Sequence, residues 1–298
     1  MAFDRIRWHA AAAGSALGTL STSLPAHAPA AGAPTLATAW SLSLAYLLPP
    51  VVLVVLYTLG IVRLWRRAGI GRGVGAASVW AFAAGTAFLF LAVVWPLDAY
   101  GEWSFGAHMA QHMVLLAFVP PLLLAGRPLA VIAHAMPRGW LRPLHAAGSM
   151  AHTRLIAMLA GATLAHSAVM WLWHLPAATT AALHHEGIHV LMHASFLLAG
   201  IWFWSALIRC VREPTVGVMP ALVALVALMM QMGLLGALLT FAPRVLYPVY
   251  IDRATALGLD PLVDQQLAGL IMWVPACLPY LIGALWLLVS AFRRESDG

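Results

Sequence analysis

The chain has 298 residues, of which 62% are hydrophobic and 9% charged, and its mean hydropathy is +0.88. Soluble domains carry about 25% charged residues, so this composition excludes an ordinary soluble protein. The formal net charge of +6 comes from arginines in short stretches between apolar runs, which is a topology signal and not a nucleic-acid footprint. We therefore expect an all-α, polytopic membrane protein that contacts lipid and binds no nucleic acid.

Residues 1–38 are predicted to be a signal-like or weakly hydrophobic N-terminal segment and a linker. Arg5 and Arg7 precede an alanine-rich run, and Ala26–Ala28 has the small-x-small form of a cleavage site. Pro29 would follow that cut, which is unfavourable. A removed signal sequence and a retained segment therefore both stay open, and either leaves the remaining topology unchanged. Residues 39–298 are predicted to form a single transmembrane domain.

Seven apolar segments of spanning length follow in chain order. They are Trp40–Leu64, Ala77–Leu97, Phe105–Leu124, Leu155–Leu175, Ile188–Ile208, Val218–Phe241 and Leu267–Val289. Most arginines follow the first, third, fifth and seventh segments, whereas most acidic residues lie in the connections on the other side. Because cytoplasmic loops are enriched in arginine and lysine, the C-terminus is predicted to be cytoplasmic.

Five histidines are predicted to lie near the extracytoplasmic face. His108 and His112 begin the third segment, and His189 and His193 begin the fifth at the same i,i+4 spacing, which places each pair on one helix face. His174 lies at the outer end of the fourth segment. A lone histidine at this depth is usually a helix contact, and we expect that role for His166. Five imidazoles at one depth would otherwise carry an unexplained desolvation cost, so they are predicted metal ligands.

The type of donor group favours copper over haem and zinc. Imidazole suits several transition metals, and nearby thioethers select for Cu(I). Met109 follows the first histidine of the first pair, and Met272 of the seventh segment lies at a similar depth. From the same segment, Gln265 is a further auxiliary residue and Asp264 is predicted to orient an imidazole by accepting its second N–H. No nucleophile–base arrangement is evident, so the chain is not predicted to be an enzyme.

Several blocks of sequence, taken together, resemble the CtaG family of membrane proteins. They are His108-Met-Ala-Gln-His-Met-Val-Leu-Leu115, Pro120-Pro121, Gly126-Arg-Pro128, Trp171-Leu-Trp-His-Leu-Pro176, His189-x-x-x-His193 and Asp264-Gln-Gln-Leu-Ala-Gly-Leu-Ile-Met-Trp-Val-Pro275. The resemblance covers residues from about Trp95 to Trp286. It implies a multi-pass protein of the bacterial inner membrane that takes part in cytochrome c oxidase assembly and respiratory chain biogenesis. It further implies delivery or insertion of copper, with the oxidase catalytic subunit or other assembly factors as partners.

Two other functions stay open beside oxidase assembly. One is a haem b-binding redox protein, although two histidines on one helix face suit a compact metal site better than the two sides of a macrocycle. The other is a copper transport or resistance permease. Transport would require ligands that continue towards the cytoplasm, and below His112 and His193 the segments are nearly purely apolar.

Overall fold

The computed structural model describes residues 32–136, 152–213 and 218–296. Within these ranges seven helical segments are long and apolar enough to span a membrane, which confirms the predicted all-α polytopic architecture. Most of the predicted N-terminal segment lies outside the described residues. So do Arg138 and Arg142 of the connection after the third span.

The described helices are numbered here in chain order. They are α1 (Leu44–Ala68), α2 (Ala76–Val93), α3 (Leu97–Gly101), α4 (Phe105–Met113), α5 (Val119–Ala125), α6 (Pro128–Ala135), α7 (His152–Trp173), α8 (Pro176–His184), α9 (Glu186–Arg212), α10 (Met219–Thr240), α11 (Ile251–Ala256), α12 (Pro261–Trp273) and α13 (Leu278–Ser296). A π-helical turn, Val114–Phe118, joins α4 to α5, and a 3₁₀ turn, Pro275–Cys277, joins α12 to α13.

Two predicted span starts were wrong because helix caps, and not hydropathy, set where a helix begins. The first helix starts at Leu44, four residues later than predicted, and the Ser43 hydroxyl caps it by accepting the amide of Ala45. The last span starts at Pro261 instead of Leu267. There the Asp260 carboxylate accepts the amides of Leu262 and Val263, so a polar first turn that hydropathy overlooks is helical.

The third span is interrupted by its own prolines. A proline at position 120 cannot donate a backbone hydrogen bond, and its ring crowds the carbonyl four residues earlier. That carbonyl belongs to Leu116, inside the π-helical turn, where the Val119 amide bonds back to the Val114 carbonyl. The backbone of α9 packs directly against this turn, because a Cβ built on Gly200 would lie 2.7 Å from the carbonyl oxygen of Leu116. Only a glycine allows this approach of α9 to the turn.

The third and fifth spans lie at the centre of the bundle. In the most apolar stretch of each, 61% and 50% of the residues are buried, compared with 22% in the first span. α4 packs against α12 and α3, the π-helical turn packs against α9, and α9 packs against α7. The two spans that begin with histidine pairs are therefore the ones the fold encloses.

Candidate metal centre

Four imidazoles form a closed ring between α4 and α9, which we call the imidazole ring site. Around it, the ring centroids are 4.1 Å apart for His108 and His112 and 5.7 Å for His112 and His193. The remaining sides are 4.4 Å between His193 and His189 and 6.3 Å between His189 and His108. Each i,i+4 pair forms one side of this four-membered arrangement. The histidine-bearing faces of α4 and α9 therefore point towards each other.

The spacing of these rings suits ligands of one small metal ion. Imidazole nitrogens bind such ions at about 2.0–2.1 Å, which places the centroids of two ligand rings roughly 5 Å apart. The observed distances of 4.1–6.3 Å bracket that value. The structure thus brings together the four histidines that the sequence pairs, while their role as ligands stays a prediction.

Asp98, on α3, is a site residue that the sequence reasoning missed. Its carboxylate Oδ1 lies 3.7 Å from Nδ1 of His193, and it is only 1% exposed. One donor atom each from Asp98, His189 and His193 lie within 4.8 Å of one another, an arrangement that could hold a metal ion, and among the described residues no donor atom of His108 or His112 joins a group of this kind. From the sequence this aspartate was only one of several acidic residues outside the spans, because α3 folds it inward through a connection that periodicity does not describe.

Two side chains hold the Asp98 carboxylate in place. The Ser41 hydroxyl donates to Oδ2 at 2.5 Å, and the Gln111 amide nitrogen donates to Oδ1 at 2.8 Å. The same amide donates to the Ala92 carbonyl at 2.9 Å. Gln111 directly precedes His112, so its position inside the HMAQH block is the signal that could have marked it as part of the site. A carboxylate fixed in this way supplies negative charge without moving.

Several ring nitrogens of the site are buried without a hydrogen-bond partner among the described residues. Both nitrogens of His108, His112 and His193 are in this state. The three side chains are at most 4% exposed. Because a buried polar atom normally finds a partner, such a concentration of ring nitrogens without hydrogen bonds is unusual in a folded protein. A metal ion is a partner that would satisfy several of them at once.

Tyr46, on α1, reaches the same site from the opposite side. Its hydroxyl lies 3.4 Å from Nδ1 of His189, and its ring centroid is 6.1 Å from that of His193. Sequence reasoning missed this residue, because a tyrosine near the end of a span is commonly an interfacial anchor. It closes the side of the site that faces α1.

His174 lies next to the imidazole ring site but not in it. Its ring centroid is 6.2 Å from that of His112, and its Nε2 is 3.0 Å from the sulfur of Met109. The Tyr247 hydroxyl donates to the His174 carbonyl at 2.6 Å, and burial raises the pKa of Tyr247, which keeps that hydroxyl protonated. Met272 is fully buried in the same apolar cluster as Met109.

The predicted role of Asp264 as a partner of an imidazole was wrong. Its carboxylate instead caps α4, accepting the Ser104 hydroxyl at 2.7 Å and the Phe105 and Gly106 amides at 2.6 and 3.2 Å. Free amides at a helix N-terminus are strong donors that favour a carboxylate. Gly106 permits the approach, since a Cβ there would lie 3.0 Å from Oδ1. The aspartate fixes the helix that carries His108 and His112 and does not touch their rings.

Gln265 likewise supports a loop and not a ligand. Its side-chain oxygen accepts the Leu246 amide at 2.6 Å, and its nitrogen donates to the Arg244 carbonyl at 3.2 Å. His166 has the structural role expected of it, since its Nε2 lies 2.8 Å from the Tyr280 hydroxyl. The residues of α12 thus build the surroundings of the site, whereas α3, α4 and α9 supply its donor atoms.

Comparison with known proteins shows which family this chain belongs to. The model of the cytochrome c oxidase caa3 assembly factor family, Caa3_CtaG, matches residues 55–294. The chain belongs to this family. The matched range contains the five histidines and Asp98 but not Tyr46 or Ser41, and the family resemblance seen in the sequence is confirmed.

The curated relatives are longer than this chain. It is 28% identical over 265 residues to an uncharacterized protein of Mycobacterium leprae, and 28% identical over 261 residues to uncharacterized proteins of Mycobacterium bovis and Mycobacterium tuberculosis. Each alignment covers 82% of this chain and 38% of the relative. The chain therefore spans well under half the length of these relatives. No solved structure matches it significantly.

Proposed function

We propose that this chain assists the assembly of a haem–copper oxidase by holding copper at the imidazole ring site and passing it to the oxidase catalytic subunit. The observation that carries the proposal is the enclosure of four neighbouring imidazoles beside the buried Asp98 carboxylate, whose donor atoms meet those of His189 and His193 within 4.8 Å. Imidazole nitrogen with one carboxylate is a donor set that divalent first-row metals accept, with Cu²⁺ the strongest binder among them. Copper is here the cargo.

The surroundings of the site favour delivery over transport across the membrane. Directly below His112, the buried residues of the third span are apolar: Leu115, Leu116, Ala117 and Val119. Below His193, Phe196 and Phe203 are fully buried. A cation that continued along this path would lose its ligands in a low-dielectric interior, at a prohibitive cost. The ion would therefore leave from the end at which it arrived.

The orientation of the chain supports the same function. The arginine distribution predicts that the histidine end faces the extracytoplasmic side of a bacterial inner membrane and that the C-terminus is cytoplasmic. Copper from outside the cell would then reach the site without crossing the bilayer. An oxidase subunit in the same membrane could dock laterally, through a surface that the chain presents to lipid.

The direct test is the metal content and optical spectrum of the purified full chain. We expect copper to bind to the wild-type protein and to His134→Ala, whose histidine is exposed and remote from the site. The single variants His112→Ala and His193→Ala should lose most of that copper and remain in the membrane at normal abundance. A Soret band in the purified protein would instead indicate haem, and copper retention in both variants would refute the imidazole ring site.

A test in cells separates assembly from other uses of copper. A strain that lacks the chain should make an oxidase polypeptide deficient in copper, and added copper should partly restore oxidase activity. Wild-type chain should complement the defect fully and His193→Ala poorly. A fully metallated, active oxidase in the deletion strain would rule out the assembly function in that organism.

A further inference from the structure

The pair formed by His174 and Met109 has a geometry that ordinary packing does not explain. Nδ1 of His174 lies 2.6 Å from the Met170 carbonyl oxygen. A carbonyl oxygen only accepts hydrogen bonds, so Nδ1 must carry the proton and donate it. In a neutral imidazole the other nitrogen, Nε2, is then a bare acceptor. The tautomer of His174 is thereby set by its own helix.

The bare Nε2 faces a second acceptor. It lies 3.0 Å from the thioether sulfur of Met109, which has lone pairs and no proton to give. A proton on Nε2 would make His174 a positively charged imidazolium. No carboxylate forms a hydrogen bond or an ion pair with His174 among the described residues, and the side chain is only 5% exposed. Burying that uncompensated charge would be costly. Two donor atoms this close repel each other, and a cation that lies beside the line joining them can bind both and relieve that repulsion.

The surroundings select the kind of cation. Met109 is fully buried in an apolar cluster with other buried methionines, namely Met113, Met170, Met232 and Met272. Thioethers are soft ligands that prefer Cu(I). Neutral donors in an apolar setting also suit a single positive charge better than two, because the desolvation cost rises steeply with charge. The imidazole ring site differs in having the Asp98 carboxylate, which favours a divalent ion.

We propose that His174 and Met109 form a second metal site, selective for monovalent copper, beside the imidazole ring site. The proposal rests on the proposed function for its choice of copper as the natural ion. The His174 and His112 rings are 6.2 Å apart, so an ion at one site is a short step from the other. Tyr247 fixes the His174 backbone and thereby the position of the second site.

Silver and cobalt distinguish the two sites in the purified full chain. Ag(I) mimics Cu(I) and tests the His174–Met109 site, whereas Co(II) tests the imidazole ring site. We expect Met109→Leu, which removes the sulfur but keeps most of the volume, to weaken Ag(I) binding at least about tenfold, the effect of losing one of few soft ligands. Co(II) affinity should stay within about twofold. His193→Ala should show the opposite pattern.

Met192→Leu is the matched control, because Met192 is also fully buried but belongs to the other apolar cluster. It should change neither affinity. Unchanged Ag(I) binding in Met109→Leu would overturn the proposal, as would equal loss of both metals. Failure of Co(II) binding with intact Ag(I) binding would instead refute the imidazole ring site and leave the second site standing.

A measurement on the unsubstituted protein guards against misfolding of the variants. With selenomethionine in place of methionine and Cu(I) bound, X-ray absorption should show a selenium neighbour of copper at bonding distance. A coordination shell of only nitrogen and oxygen would overturn the proposal.

Discussion

Two buried polar regions of this protein contain histidine, and they differ in whether the fold supplies partners. In the middle of the bundle, His166 and Tyr280 are both fully buried and form a 2.8 Å hydrogen bond through Nε2 of the imidazole, while Nδ1 has no partner among the described residues. At the histidine end, both nitrogens of His112 and of His193 are buried without a hydrogen-bond partner within the described ranges. The first region joins two helices through one polar contact, whereas the second gathers several ring nitrogens that one bound metal ion would satisfy together.

The difference shows how to separate structural from functional histidines in a membrane interior. Burial alone does not do so, because all three residues are at most 4% exposed. What differs is the chemistry of the neighbours. The Tyr280 hydroxyl forms a hydrogen bond with His166, whereas the rings of His112 and His193, with centroids 5.7 Å apart, form none with each other. The predictions below test this distinction.

The largest effect is expected from replacing both His112 and His193 by alanine. Loss even of the groups that orient metal ligands costs about 10–100-fold in affinity, so removal of two ligands should cost more than about 100-fold. Copper titration of the purified protein measures this. Membrane abundance should be unchanged, because the variant removes buried rings whose nitrogens make no hydrogen bond among the described residues. Loss of the protein from the membrane would mean that these histidines are structural after all.

Asp98→Asn should weaken divalent metal binding by about 10–100-fold. The substitution keeps the shape of the side chain but removes the charge beside His193. Competition titration with Co(II) or Cu(II) gives the affinity. Asp264→Asn is the matched control, since its carboxylate caps α4 and lies in no imidazole contact among the described side chains. Equal losses in both variants would indicate a general effect of helix positioning.

Ser41→Ala should have a smaller effect of the same kind. The hydroxyl donates to the carboxylate of Asp98, and a hydrogen bond to a charged group contributes about 1.5–3 kcal/mol, part of which Gln111 retains. We expect a loss of metal affinity of roughly tenfold or less. An affinity equal to that of wild type would show that Gln111 alone positions the carboxylate.

Tyr280→Phe should leave metal affinity unchanged and slightly lower the stability of the bundle. Hydrogen bonds between membrane helices contribute about 0.6 kcal/mol on average, and the variant removes one. Thermal unfolding in detergent, with metal titration on the same sample, measures both quantities. A clear fall in metal affinity would show that the His166–Tyr280 contact influences the metal site, and the distinction between the two regions would then be wrong.

The sequence predicted the parts of this structure that depend on local periodicity. The number of spans and the juxtaposition of His108 and His112 with His189 and His193 follow from apolar length and i,i+4 spacing. Both failures at span boundaries arose where a polar cap extends or delays a helix. They show that hydropathy reports the composition of a segment and not the position at which a cap stabilises the first helical turn.

The remaining site residues depend on tertiary contacts that periodicity does not encode. Asp98 reaches His193 because α3 folds back on α4, and Tyr46 reaches His189 from a helix 143 residues earlier in the chain. The role predicted for Asp264 was wrong because its position along the span does not determine which way its side chain points. A carboxylate near several imidazoles still binds the nearest free amides when a helix begins there.

The π-helical turn at Val114–Phe118 also sets the rotational phase between the two halves of the third span. A π-helical turn holds about one residue more than an α-helical turn, so a chain that lacks one residue here would form a continuous α-helix with its histidine pair still facing α9. A one-residue gap at this turn is therefore a change of length and not a change of facing. A sequence alignment of this family that closed such a gap would shift one half of the span by a residue and pair His108 and His112 with positions on a different helix face.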